Sequence, residues 1–185
     1  MSKPATLPAP GPLLPDPARP SMSGGLPLPL DELTTIVRDV AADEARWRPR
    51  VRFGNAERWW TRLEAAATHD VWLLTWTTDS ATDLHDHGSS TAAFTVVAGT
   101  LDELRVDRHA TDGTSALART PLPVGATRAM ARGQVHDVRN PYAEPAVSVH
   151  AYSPPLTRMT YYRLRSGRLR AVRAVASHEP EARLQ

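Results

Sequence analysis

Two of the seven histidines, His85 and His87, stand one residue apart. In an extended strand alternate side chains share a face, so both imidazoles can point to one side while Asp86 points to the other. Such a pair supplies two metal ligands, or is no more than a polar strand face. The run Gly133-Gln134-Val135-His136, with Asn140 four residues on, offers a third imidazole at the start of another strand, after a glycine turn. Three neutral imidazoles suit Fe, Zn, Cu or Ni and disfavour Mg or Ca, so spacing and residue type leave the metal open. Taken alone, His136 would read as a turn histidine bonded to backbone. His69, His109 and His178 lie in polar or turn-like surroundings and are assigned no chemistry.

A second pattern lies between Val147 and Tyr152, where Ser148, His150 and Tyr152 recur at every other position of an apolar run. Three polar groups on one strand face are costly to bury unpaired. A chain of hydrogen bonds from hydroxyl to imidazole to phenol would satisfy them and fix the direction of the Tyr152 hydroxyl. The alternative is an outer, solvated face. Against it, the opposite side carries only Val147, Val149 and Ala151, as a strand separating two cores would.

These residues need short strands to hold them. Segments rich in β-branched and aromatic residues run over Trp59–Leu63, Val71–Thr77, Ala93–Val97, Leu101–Val106, Val147–Tyr152 and Met159–Leu164. Gly, Pro, Asp and Asn punctuate them, which predicts an antiparallel barrel or sandwich. Ahead of them, Leu33, Ile36, Val37, Val40 and Ala41 fall on one face at helical spacing, with Asp31 as the expected N-cap. Near the C-terminus Arg163, Arg165, Arg168, Arg170 and Arg173 alternate or nearly alternate with apolar residues, as on a strand with one wet face. Residues 1 to 30 hold nine of the 17 prolines. Proline removes backbone donors and resists helix, so residues 1–29 are expected to form a disordered or extended arm, followed by one domain over 30–178 and a tail over 179–185.

Composition removes several classes of function. The 185 residues fit one domain, and 22 basic against 20 acidic side chains leave a formal charge of +2, which implies no nucleic acid partner. With no cysteine in the chain, thiolate metal sites and a cysteine nucleophile are excluded together, leaving histidine and carboxylate for any metal chemistry. No apolar run reaches the length of a membrane helix, and the N-terminus lacks the basic and apolar regions of a signal peptide. The expectation is a cytoplasmic monomer that binds neither membrane nor nucleic acid.

With these residues in hand, the chain resembles the cysteine dioxygenase family of the cupin superfamily, from Leu30 to about Val175. The resemblance rests on three ordered motifs. The first is His85-Asp86-His87-Gly88-Ser89-Ser90 followed by Gly99-Thr100-Leu101-Asp102-Glu103. The second is His136-Asp137-Val138-Arg139-Asn140, and the third runs from Ala146 through Ser148, His150 and Tyr152 to Pro155. It implies a mainly β fold, a jelly-roll cupin barrel with a short N-terminal helical segment. It also implies Fe(II) bound by His85, His87 and His136, a supporting triad of Ser148, His150 and Tyr152, and a cis bond between Ser153 and Pro154. The substrates it implies are O2 and a small thiol, cysteine first, with 3-mercaptopropionate or another thiol as the alternative. A cupin of other enzymatic activity, or one that only binds a small ligand, is the rival class. An arginine on an early strand should hold the substrate carboxylate. Trp60-Thr61-Arg62 matches best, with Arg58 and Arg158 the next candidates. Many animal members cross-link a cysteine to the active-site tyrosine; Ala92 stands at that position here, so Tyr152 should be a free phenol.

Overall fold

The computed structural model describes residues 26–53, 58–108 and 114–180. The proline-rich arm before residue 26, His109 and residues 181–185 of the tail lie outside the described residues. The chain opens with helix α1 (Leu30–Ala42) and a single turn, α2 (Glu44–Trp47). Leu33, Val37 and Val40 recur every three to four residues and form the buried stripe of α1. Pro29 rather than Asp31 occupies the N-cap; Asp31 sits in the first turn, where its charge still favours the positive helix end.

Eleven strands follow in the described residues: β1 (Trp59–Ala65), β2 (Asp70–Trp76), β3 (His85–Asp86), β4 (Thr91–Ala98), β5 (Leu101–Arg108), β6 (Ser115–Leu122), β7 (Thr127–Met130), β8 (His136–Arg139), β9 (Ala146–Ser153), β10 (Arg158–Arg165) and β11 (Arg168–Ala176). They form two antiparallel sheets, in the orders β1-β2-β9-β4-β7 and β11-β10-β3-β8-β5-β6. The architecture is mainly β, the cupin jelly roll that the sequence resemblance implies. No helix among the described residues is long and apolar enough to cross a membrane.

The period-two alternation of the central strands sorts the chain into two cores. Trp72, Leu74 and Trp76 of β2, Phe94 and Val96 of β4, Leu101 of β5 and Tyr152 of β9 pack in the first, between the sheets. Val71, Leu73, Ala93, Val147, Val149 and Ala151 point the other way, onto the buried stripe of α1. Both faces of β2 and β9 are therefore covered, which is why these strands read as continuous apolar runs. The arginine-rich C-terminal stretch, expected as a strand with one wet face, is a hairpin of two strands turning at Ser166-Gly167, with its arginines exposed. The bond from Ser153 to Pro154 is cis.

Gly99 turns the chain from β4 into β5 at a φ of 71°. A Cβ there would come within 2.5 Å of the Pro145 carbonyl oxygen, so only glycine permits this close approach, which brings Leu101 and Glu103 into the barrel.

Candidate metal centre

Strand β3 is only two residues long, yet His85 and His87 both turn inward. Their parity is held by Asp86, whose carboxylate accepts the Tyr162 hydroxyl at 2.6 Å and the Gly88 amide at 2.9 Å on the opposite side. Gly88, at a φ of 59°, makes the turn that lets its amide reach back. In the register His85 stands opposite His136, the first residue of β8. The three rings accordingly meet, with centroid separations of 4.9 Å (His85 and His87), 4.7 Å (His85 and His136) and 5.2 Å (His87 and His136).

One nitrogen from each of the three lies within 4.8 Å of the others. His85 Nδ1 donates to the Asp83 carbonyl at 2.7 Å, and His136 Nδ1 to Glu103 Oε1 at 3.1 Å. Both bonds put the proton on Nδ1 and leave the lone pair on Nε2. The Nε2 atoms of His87 and His136 are buried without a hydrogen bond among the described residues. Buried polar atoms are normally paired, so nitrogens aimed at a common point suit a cation. Burial and mutual repulsion keep His85 and His87 well below the ordinary imidazole pKa: for His85 the charge on His136 adds to desolvation, and for His87 that on His85 does. They are neutral, as metal ligands must be. The residues fit a metal ion of the borderline class, with no carboxylate in the inner set.

The Ser148, His150 and Tyr152 face is the inner one. All three are buried: His150 stacks on Phe94 with centroids 4.8 Å apart, and the Tyr152 ring lies 5.0 Å from that of His87. Ser148 Oγ and His150 Nε2 are 2.8 Å apart, and His150 Nδ1 lies 3.5 Å from the Tyr152 hydroxyl. A fourth member escaped the sequence reading: the Trp76 indole donates to Ser148 Oγ at 2.8 Å. An indole can only donate, so Ser148 receives that proton and passes its own to His150 Nε2. Desolvation, with repulsion from His136 and Arg58, keeps the His150 imidazole neutral. Its single proton then sits on Nδ1, facing the Tyr152 oxygen, so toward His150 the phenol is the acceptor.

Arg58, Trp60 and Arg62 share one face of the β1 segment, but at different depths. Trp60 pairs with Leu74 and Arg62 with Trp72, and Arg58 comes one step further along, its guanidinium 5.0 Å from the Trp76 ring. Arg58 is buried, and its charge is felt at both His85 and His150. Arg62, the better match in sequence, is exposed; its guanidinium lies 4.5 Å over Trp72 and reaches the His178 carbonyl at 3.4 Å. Arg158 is exposed as well. Arg58 and Arg62 thus differ in depth rather than in face. Ala92 stands opposite Tyr152 in the β4–β9 register, and a methyl group cannot cross-link to the phenol. His69 is hydrogen-bonded to Glu64 and Thr68, and His178 is exposed.

Two further residues here were quoted in motifs without a role. Glu103 is buried against His136, Arg105 and Arg128, and burial alone would raise its carboxyl pKa; the His136 contacts and Arg105 outweigh that and hold it below the ordinary range. Asn140 is fully buried and closes the loop after β8, its amide donating to the Trp76 and Glu144 carbonyls.

The family model for cysteine dioxygenase type I matches residues 28–165. A search of curated proteins finds no match. Among solved structures the chain is similar to an uncharacterized conserved protein with a double-stranded β-helix domain from Klebsiella pneumoniae subsp. pneumoniae, at 17% identity over 71% of this chain and 88% of that one, with a TM-score of 0.49. It is also similar to an RmlC-like cupin protein from Desulfovibrio desulfuricans, at 17% identity over 57% and 91% of the two chains, with a TM-score of 0.47.

Proposed function

Because the chain belongs to the cysteine dioxygenase type I family, we propose that it is an Fe(II)-dependent thiol dioxygenase, adding both atoms of O2 to the sulfur of a small thiol, L-cysteine first. The observation that carries this reading is the meeting of three groups inside one barrel: converging imidazoles, a phenol oriented by its own hydrogen-bond chain, and a buried guanidinium. His85, His87 and His136 would hold the iron through Nε2, and three neutral ligands would leave its dipositive charge intact for binding a thiolate and O2 side by side.

The chain's own groups do the positioning. Arg58 offers a planar fork that matches a carboxylate, so the substrate is anchored at the end remote from its sulfur. With sulfur and O2 fixed together, the reaction becomes effectively intramolecular. Tyr152 presents its hydroxyl proton to the reacting sulfur or oxygen, and the Trp76, Ser148 and His150 chain keeps that hydroxyl from rotating away. The apolar walls of Leu74, Phe94 and Val96 exclude water and strengthen each of these polar contacts. The overall change, RSH + O2 to a sulfinate and a proton, needs no outside reductant, because the electrons that reduce O2 all leave sulfur.

Fe(II)-loaded protein in an oxygen electrode, offered cysteine, 3-mercaptopropionate and cysteamine in turn, tests the reading. Cysteine should be consumed with one sulfinate formed per O2; iron-replete protein that takes up no O2 with any thiol would overturn it. Tyr152→Phe removes one hydroxyl from a packed ring. It should keep iron and fold while slowing turnover by ~10²-fold or more, the usual worth of a positioned proton donor. Unchanged turnover would put the hydroxyl outside the reaction.

A further inference from the structure

We infer that Glu103 is a positioning residue for the metal centre, holding the Nδ1 proton of His136 so that Nε2 is presented inward. The inference rests on the three-histidine metal reading and adds a residue to it. Glu103 is 2% exposed and stands on β5, on the same inward face as Leu101. Its neighbour two along, Arg105, is the cross-strand partner of His136, and this register brings the carboxylate to the imidazole at 3.1 Å. Arg105 Nη2 lies 3.2 Å from Oε1 and 3.3 Å from Oε2. Arg128 Nε, from β7 in the other sheet, lies 3.3 Å from Oε2.

Every oxygen of Glu103 is thus met by a donor, and the two guanidinia balance a charge that would otherwise be costly to bury. Arg105 and Arg128 are partly exposed, so the network runs from the centre of the barrel to solvent. A carboxylate on the far nitrogen of a ligating imidazole fixes its tautomer and ring orientation and makes the near nitrogen a stronger base. The Nδ1 of His85 meets the Asp83 backbone carbonyl in the equivalent place. The rival role for Glu103 is purely structural, an ionic tie between the sheets.

Co(II) titration of the full-length metal-free protein separates these roles. Glu103→Gln keeps the shape and an acceptor for the imidazole proton but removes the charge. It should weaken Co(II) binding by roughly 10- to 100-fold and shift the Co(II) absorption bands, at a temperature where near-ultraviolet circular dichroism shows the variant folded. Wild-type affinity with unaltered bands would overturn the inference, leaving a structural tie. If wild-type protein itself binds no Co(II), or binds it equally after His136→Ala, the metal reading fails first and the inference with it.

A measurement on the wild type covers the case in which the variant does not fold. Nitrogen-15 spectra of the metal-free protein should show His136 protonated on Nδ1, with that proton shifted downfield as in a charge-assisted hydrogen bond to a carboxylate. The opposite tautomer at His136, or an Nδ1 proton at the position of a solvent-exposed imidazole, would overturn the inference.

Discussion

His85→Ala, His87→Ala and His136→Ala are each expected to yield folded protein that holds only traces of iron and consumes no O2 with cysteine. Each imidazole is one of three inner donors, and its loss admits water in place of nitrogen. The affinity lost should exceed the roughly 10- to 100-fold that removing a mere supporting partner costs. The barrel should survive, because these side chains project into the interior rather than forming the sheets, and Arg105 and Arg128 still face the Glu103 carboxylate when the His136 ring is removed. His150→Ala provides the contrast. Its ring stacks on Phe94 and links Ser148 to Tyr152, so iron should remain while turnover falls with the loss of the oriented phenol. Metal analysis beside O2 uptake distinguishes the two classes. Full iron occupancy in any of the first three variants would remove that residue from the ligand set, and equal metal loss in His150→Ala would mean that the inner and supporting groups have been exchanged.

Arg58→Ala should raise the KM for cysteine steeply. Removing one partner from a desolvated, hydrogen-bonded charge pair costs roughly 2 to 5 kcal/mol, equivalent to roughly 30- to 5,000-fold. Cysteamine keeps thiol and amine but has no carboxylate, so its turnover should be nearly unaffected. Arg58→Lys keeps the charge but loses the planar fork, and should fall between. Arg62→Ala removes an exposed guanidinium over Trp72 and should cost about 0.5 to 1 kcal/mol of stability with little change in KM. Steady-state kinetics of the three variants on both thiols would decide the matter. A steep rise for Arg62→Ala with Arg58→Ala unaffected would return the carboxylate to the position the sequence motif favours.

The contrast between these arginines shows where sequence reasoning stops. Parity is legible: residues 58, 60 and 62 share a face, as do 85 and 87, and 148, 150 and 152, because side chains alternate along a strand. That rule, with the polar pattern inside an apolar run, puts His85 and His87 on one strand face and Ser148, His150 and Tyr152 on another, and the structure buries both sets, His136 with the first. Depth is not legible, because it depends on which residue of β2 each position of β1 faces. Nor is the contact of Glu103 with His136, 33 residues apart, which follows from the β5–β8 register alone. Two strands were missed for local reasons. Strand β6 is an edge strand of low β-propensity that carries Pro121, and β7 has only four residues. The Trp76 bond to Ser148 was equally hidden, since a tryptophan in an apolar strand looks like core whether or not its indole donates.

The central claim is that O2 delivers both of its atoms to a thiol sulfur at the three-histidine centre. Turnover of cysteine by the Fe(II)-loaded protein under 18O2, followed by mass spectrometry of the product, tests it most directly. The expected product is a sulfinate in which both added oxygens carry the label, formed by the wild type and not by His136→Ala. Disulfide as the sole product, or a sulfinate carrying oxygen from water, would contradict it.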